Sequence, residues 1–501
     1  MDMANNHQGD LAHGRGIIRY VAALCEEKGI RGAVKFQYRQ LDTFIHPDHK
    51  DAQVPKHIPR FMSTRLPMDD YKKMVDEAKE LGLLTACTPF DEESVPVIVE
   101  HGIDLIKVAS CSARDWPLLE RVAAAGKPVV LSTGGAAIED IDAVVSFFSH
   151  KNVALALMHC VAIYPTVEED LHLNQIDLLR KRYPFLKIGF STHEDQDNVE
   201  AVQIAIGKGA KLLERHVGLP TETVKLNAYS SNPEQLGRWF DAANRAYVMC
   251  GGVGRHATKP EEKESLDSLR RGVFARRPLK AGEAFTPADL FYAMPYIDGG
   301  MDTSMLTVHS HGLVADRDYG VNEPVGPACL QADASDHQLY SVIHKAKGLL
   351  YEGRIAIGKE FDVTLSHHYG IEKFAEVGAI VVDCINREYC KKLIIQVPGQ
   401  VHPNHYHEKK EETFQVLYGD LIVNMDGVES VLKPGDQVLV ERGVPHWFTT
   451  TTGCVVEEVS TTHYKNDSFY SDDKIADPDR RKTSLKDARH TFEQYDFSEL
   501  W

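Results

Sequence analysis

Residues 187–218 read KIGFSTHEDQDNVEAVQIAIGKGAKLLERHVG. Short apolar runs at 187–190 and 211–213 bracket an amphipathic stretch at 198–208, so the expected order is strand, helix, strand. Each strand runs into a histidine, His193 after GFST and His216 after LLER. Consecutive parallel strands would bring both imidazoles to one rim of a sheet. A single strand-end histidine reads as a hydrogen-bonded structural group. Two of them, placed alike on neighbouring strands, suit a catalytic divalent metal with open coordination positions. Glu214 stands two residues before His216 and therefore on the same strand face.

The same unit repeats upstream. Strands are expected at 33–37, 83–88, 105–109, 129–131 and 153–159, and helices at 69–81, 94–101, 116–125, 138–148 and 173–181, with a last helix at 233–249. The Pro- and charge-rich segment 38–67 reads as a long loop. Alternating strands and helices over residues 1–250 argue for a (β/α)8 barrel, a TIM barrel. The open doubly wound sheet is the alternative, but no GxGxxG follows a strand. Only seven strands are countable. The eighth should precede Asn5, so the expectation is either a minimal first strand or a start further upstream.

Composition sets the outer limits. The chain has 501 residues, enough for two to four domains, and is 43% hydrophobic and 26% charged. A formal net charge of -17 argues against nucleic acid or an anionic membrane as partner. No apolar run reaches membrane-spanning length and no signal peptide opens the chain. Nine cysteines without a CxxC pair fit reduced thiols and a cytoplasmic location.

Barrel enzymes place their chemistry at the C-terminal strand ends, and those ends are rich here. They carry Lys35 and Gln37, Thr88, Lys107 and Ser110, Ser132, Tyr164, Ser191, and the His193/Glu214/His216 set. Two lysines among hydroxyls and glycines suit a phosphate and a carboxylate. The phrases NNHQGD, VKFQ, TPFD, IKVAS, LSTGG, MHCVAIYPT, GFSTH and ERHVG, in that order, resemble the sialic acid (N-acetylneuraminate) synthase family.

That resemblance implies a barrel condensing phosphoenolpyruvate with a manno-type 2-acetamido sugar aldehyde, a Mn2+ or Mg2+ ion, and a homodimer. By the resemblance, Lys35, Thr88, Lys107, Ser110, Ser132 and Ser191 would hold phosphoenolpyruvate. Gln37, Tyr164 and Asn227 would face the sugar, His193 and His216 the metal. Asp2, Lys107 and Glu214 would be catalytic, Glu214 as acid or base. A metal there would polarise the aldehyde oxygen for attack by C3 of phosphoenolpyruvate. Water adds at C2, and phosphate leaves by C–O cleavage with its charge met by the lysines. The chain departs from the family's pattern at Asp2 (usually Glu), Thr192 (usually Asp) and Asn227 (usually acidic), so the phosphoenolpyruvate half is the better matched.

Residues 251–265 read as a linker. Residues 266–335 resemble the small antifreeze-like (SAF) domain that follows such barrels, with Lys280, Gly282, Glu283, Asp289 and Leu290 in place. The arginine expected before Pro295 is Met294, which weakens the case for an N-acetyl sugar. Arg270, Arg271, Arg276 and Arg277 read as a surface face.

From residue 353 the pattern becomes short β-rich runs with Gly and Pro turns. His405 and His407, two apart on a strand, would point the same way. Glu412 and His446 would complete three histidines and a carboxylate with open positions. The spacing resembles the cupin family, implying an all-β jelly-roll barrel at 353–465 holding Zn2+, Mn2+, Fe2+ or Ni2+. HxHxxKxE also resembles cupin sugar isomerases, although Lys410 reads as a surface lysine. The stretch 457–473 reads as too acidic for a core, a lid or interface strand, and 466–501 as a surface tail. The leading expectation is a nonulosonic acid synthase whose cupin isomerises or binds a sugar. The alternatives are a 3-deoxy-2-ulosonate synthase taking a non-acetylated aldose, or a barrel of reduced activity with a non-catalytic cupin.

Overall fold

The computed structural model describes residues 1–50, 57–252, 254–306, 312–330, 334–357, 361–475 and 481–485. The chain divides into two units, Met1–His256 and Ala257–Trp501.

In the first unit, seven parallel strands pair in sequence order: β1 (Ala33–Tyr38), β2 (Leu84–Pro89), β3 (Leu105–Val108), β4 (Val129–Ser132), β5 (Leu155–Cys160), β6 (Lys187–Ser191) and β7 (Leu213–Glu214). Asp2 stands in the place of the eighth strand. Asp2 forms parallel bridges to both Lys35 and His216. Its amide donates to Arg215 O at 2.8 Å, its carbonyl accepts from Val217 N at 2.9 Å, and Met3 N donates to Lys35 O at 3.1 Å. One short stave thus joins β1 to the strand pair around residue 216 and closes the ring.

Strand alternation sorts the side chains. On β1, Val34, Phe36 and Tyr38 enter the core shared with the helices, while Lys35 and Gln37 bond to groups at the barrel mouth. The helix Leu11–Lys28 starts where Asp10 accepts from the amides of Ala12 and His13, and it buries Ile17, Ile18 and Val21. The last helix, Pro233–Cys250, opens on a reciprocal Asn232–Gln235 cap and buries Leu236, Trp239 and Phe240. Each such buried side chain contributes roughly 1.5–3 kcal/mol. The expected loop at 38–67 is partly helical, with short helices at Leu41–Phe44 and His57–Ser63; residues 51–56 lie outside the described residues.

The second unit contains three pieces. The expected linker at 251–265 carries part of a helix, Pro260–Ser268, opened by Pro260. A small body follows with its own core of Val273, Leu279, Phe285, Leu290, Met301, Tyr319 and Val325. It is built on two antiparallel pairs, Gly272–Ala275 with Leu290–Ala293 and Ala284–Phe285 with Leu313–Val314. Arg277 is pinned there by Asp289 and Glu283 and stays on the surface. The boundary expected at 335 falls inside the helix Ala334–Glu352, whose Val342, Ile343, Ala346 and Leu350 pack into the core of the β-domain that follows.

That β-domain is two antiparallel sheets. The larger runs Gln437–Val440, Glu412–Gly419, Cys454–Thr461, Tyr389–Gln396, Ala379–Asn386, Asp362–Ser366 and Lys482–Leu485 in spatial order; the smaller centres on Leu421–Met425, His446–Thr449 and Val401–Tyr406. Two expectations fail here. The acidic run after Glu457 is not a lid: Cys454–Thr461 is an interior strand paired on both sides, with Val456, Glu458 and Ser460 buried. Nor is everything after 465 a tail. Phe469–Tyr470 pairs with the strand at His405, and Lys482–Leu485 pairs with Asp362–Ser366. Residues 476–480 and 486–501 lie outside the described residues.

Candidate functional sites

At the barrel mouth, the predicted residues converge. Lys35 Nζ lies 2.9 Å from Asp2 Oδ2 and 3.0 Å from Glu214 Oε1. Lys107 Nζ sits 3.7 Å from Glu214 and donates to Ser132 Oγ at 2.5 Å. Ser191 donates to Glu214 Oε1 at 2.8 Å, and Gln37 to Asp2 Oδ2 at 3.3 Å. Ser110 Oγ accepts from the Gly134 amide at 3.0 Å, tying the LSTGG turn to the end of β3. Thr88 Oγ1 is buried with no hydrogen-bond partner, which leaves a donor for a ligand.

The electrostatics follow from burial and pairing. Burial alone would push Glu214 up, but the Lys107 and Lys35 ammoniums and the Ser191 bond outweigh it, so its carboxyl lies well below the ordinary range. Lys35 is pulled down by burial and raised more strongly by Asp2 and Glu214. Lys107 is lowered by burial, which outweighs the raising effect of the Glu214 carboxylate 3.7 Å away.

The two histidines meet as expected, with ring centroids 5.3 Å apart. His193 Nδ1 bonds to Val161 O at 3.0 Å, which makes Nδ1 the protonated nitrogen and leaves Nε2 as a lone-pair donor. Burial, then the His216 charge, lowers His193 to about 4; burial likewise lowers His216. Two neutral imidazoles are therefore available, and among the described residues no third His, Cys, Asp or Glu completes a group with them. That donor set fits a metal with open positions.

Tyr164 lies 4.2 Å from the His193 ring. Tyr229, which sequence reasoning missed, stands 5.2 Å from the His216 ring and 5.5 Å from Tyr164. Arg39 was missed too: its guanidinium is held between Phe61 and Phe90 at 4.1 and 3.7 Å and donates to Gln37 Oε1. Asn227 is exposed, and its Oδ1 accepts from the Tyr229 amide in its own turn. Arg215, between Glu214 and His216, points into the outer layer, paired with Glu194 at 3.1 Å and bonded to Ser231.

In the β-domain, one donor atom from each of His405, His407, Glu412 and His446 lies within 4.8 Å of all the others, and all four residues are buried. Backbone carbonyls fix each ring: His405 Nδ1 on Pro403 O, His407 Nδ1 on Asp467 O, and His446 Nδ1 on Val444 O. The Nε2 atoms of His407 and His446 and one Glu412 oxygen are buried without hydrogen-bond partners. Such orphaned acceptors fit a divalent cation with N/O preference. Burial would raise Glu412, yet the Lys410 ammonium beside it holds it well below the ordinary carboxylate range. Lys410 is not on the surface: it is buried between Glu412 and Glu458. His402, also unforeseen, is buried, with its ring stacked on Phe448 at 4.5 Å. Among the described residues no helix is long and apolar enough to cross a membrane.

The NeuB family model matches residues 25–254, and a cupin domain model matches 393–459. A solved spore coat polysaccharide biosynthesis protein E from Chromobacterium violaceum is 46% identical, covers 66% of this chain and 98% of its own, and superposes with a TM-score of 0.63. The N-acetylneuraminate-9-phosphate synthase of Drosophila melanogaster is 34% identical over 246 residues, 44% of this chain and 66% of its own. The N,N'-diacetyllegionaminic acid synthase of Legionella pneumophila is 26% identical over 304 residues, 58% of this chain and 83% of its own.

Proposed function

We propose that this chain, which belongs to the NeuB family and carries a C-terminal cupin domain, uses its barrel to condense phosphoenolpyruvate with a manno-type N-acetyl sugar aldehyde. The product is a nonulosonic acid, with phosphate released. The observation that carries this reading is the buried Lys35–Glu214–Lys107–Ser132 network beside two neutral imidazoles.

In this reading Lys35 and Lys107 receive the phosphate and carboxylate, with Thr88, Ser110, Ser132 and Ser191 as hydroxyl donors. The arriving dianion takes over charge that Glu214 now neutralises. Glu214, an ionised carboxylate in the resting site, is suited to accept a proton as water adds at C2. Asp2 keeps Lys35 charged and orients His216, whose Nδ1 is 3.4 Å from it. His193 and His216 would hold a Mn2+ or Mg2+ ion, which when bound supplies Lewis-acid polarisation of the aldehyde. Tyr164 and Tyr229 wall the acceptor side.

A second reading, a 3-deoxy-2-ulosonate synthase for a non-acetylated aldose, is favoured by Asn227, whose side chain serves its own turn, and by Met294 in the place of an arginine. In the cupin, His405, His407, Glu412 and His446 would hold a divalent metal for sugar isomerisation or binding. The test is phosphate release from phosphoenolpyruvate and Mn2+ with a panel of acetylated and plain six-carbon aldoses. Aldose-dependent release supports condensation, and the preferred aldose separates the two readings. No release with any aldose sinks both.

A further inference from the structure

The cupin interior encloses a cavity of about 490 Å3, a size that suits a single small molecule. His405, His407 and Glu412 of the cluster form one part of its lining. Another part is basic, and the basic groups are unevenly matched. Lys410 is neutralised by Glu412 and Glu458, and Lys392 is 3.3 Å from Asp383. Lys482 also lines the cavity, and its ammonium has no hydrogen bond or ion pair among the described residues. Its neighbour Arg481 is buried, donates to the backbone carbonyls of Ile475 and Ser468, and leaves its Nε buried without a partner. His463 Nδ1 is a further buried group on this wall without a partner.

Arg481 and Lys482 come from the segment that reads in sequence as a tail. The pairing of Ser366 with Lys482 and of Thr364 with Ser484 puts Lys482 and Ser484 on the cavity side. Leu485 packs into the core on the other face. A strand-edge addition has therefore carried a lysine into the cavity. An ammonium there, lowered to about 8 by burial and by Lys392 and Arg481 and only partly raised again by Asp383, gains from an anion arriving beside it. Ser366, Thr364, Asn386 and Ser468 supply hydroxyl and amide groups around the same space.

We infer that the cupin cavity binds a small polyhydroxylated anion, a sugar carboxylate or a sugar phosphate, whose charged group sits on Lys482 and Arg481 and whose hydroxyls reach toward the His405/His407/Glu412/His446 cluster. This inference concerns the cupin alone and stands or falls separately from the barrel reaction.

The test is calorimetric titration of the full chain loaded with Mn2+, using D-glucuronate, D-glucose 6-phosphate and D-glucose. At least one anion binds about tenfold or more tightly than D-glucose, and Lys482→Met weakens that binding by about ten- to a hundredfold while Lys482→Arg largely keeps it. Anion binding at the barrel is common to wild type and variant and so does not enter the difference. Preference for glucuronate identifies a carboxylate ligand, and preference for glucose 6-phosphate a phosphate. A Mn2+ titration of Lys482→Met matching wild type shows the cupin intact; if it does not match, Lys482→Gln takes its place in the same wild-type-minus-variant comparison, and that difference decides. The inference is overturned if neither anion binds, if D-glucose binds as tightly as both, or if an intact Lys482→Met variant keeps wild-type affinity.

Discussion

Glu214→Gln is the substitution that most sharply separates charge from shape at the barrel mouth. The amide keeps the size and still accepts from Ser191 and Lys35, which now approach at 2.8 and 3.0 Å. What disappears is a buried negative charge 3.0 Å from one ammonium and 3.7 Å from another. At the effective dielectric suited to such sites each attraction is about 4–6 kcal/mol. The amide recovers part by being cheaper to bury, and removing one partner of a buried pair costs about 3–5 kcal/mol net. For a unit the size of this barrel that is a fall of about 6–20 °C in its melting transition. Asp2, Lys35, Lys107 and Glu214 balance in the wild type, so the variant leaves one uncompensated positive charge in the mouth. Phosphate or phosphoenolpyruvate should therefore stabilise the variant more than the wild type and bind it more tightly, while turnover falls for want of the carboxylate. Calorimetric scans of both proteins, with and without inorganic phosphate, read all of this. A variant that melts within about 1 kcal/mol of wild type and gains nothing extra from phosphate would refute the electrostatic account of the site.

Other outcomes follow from the same reasoning. Glu412→Gln removes the one carboxylate among four buried donors, and metal affinity of the cupin should drop by more than the roughly 10–100-fold that an outer partner is worth; metal content after dialysis checks it. Glu194→Gln strands Arg215, whose side chain is 1% exposed, and should cost the barrel about 3–5 kcal/mol in denaturant unfolding without changing the metal affinity of the cupin. Gly419 has φ +77, and a Cβ there would lie 1.8 Å from Gly453 O, so Gly419→Ala should destabilise the cupin by more than about 3 kcal/mol, seen as an earlier unfolding step. Removal of divalent ions by chelation should stop aldose-dependent phosphate release, with activity restored by Mn2+.

The barrel was legible because its signals are local. Apolar runs, helix caps and strand-end polar residues repeat within short windows, and the His193–His216 pair falls out of that repetition. The four cupin donors were legible for the same reason, since spacing on a strand determines facing. What escaped depends on partners far along the chain. Lys410 looks like a surface lysine until Glu458, 48 residues away, buries it. Lys482 belongs to a polar terminal stretch until it pairs with Ser366. Glu458 lies in an acidic run whose interior placement comes from strands on both sides. Tyr229 and Asn227 are two residues apart, and only the turn between them shows that the tyrosine, not the asparagine, closes on the histidines. Asp2 makes the same point, because its pairing partners are β1 and residue 216 rather than anything adjacent.

The condensation itself is tested most directly by isotope. Phosphoenolpyruvate carrying 18O in the bridging C2–O position, given with Mn2+ and the preferred aldose, should yield phosphate that retains the label, released in step with a product combining both carbon skeletons. Unlabelled phosphate, or labelled phosphate released at the same rate without aldose, would contradict C–O cleavage during condensation in this barrel.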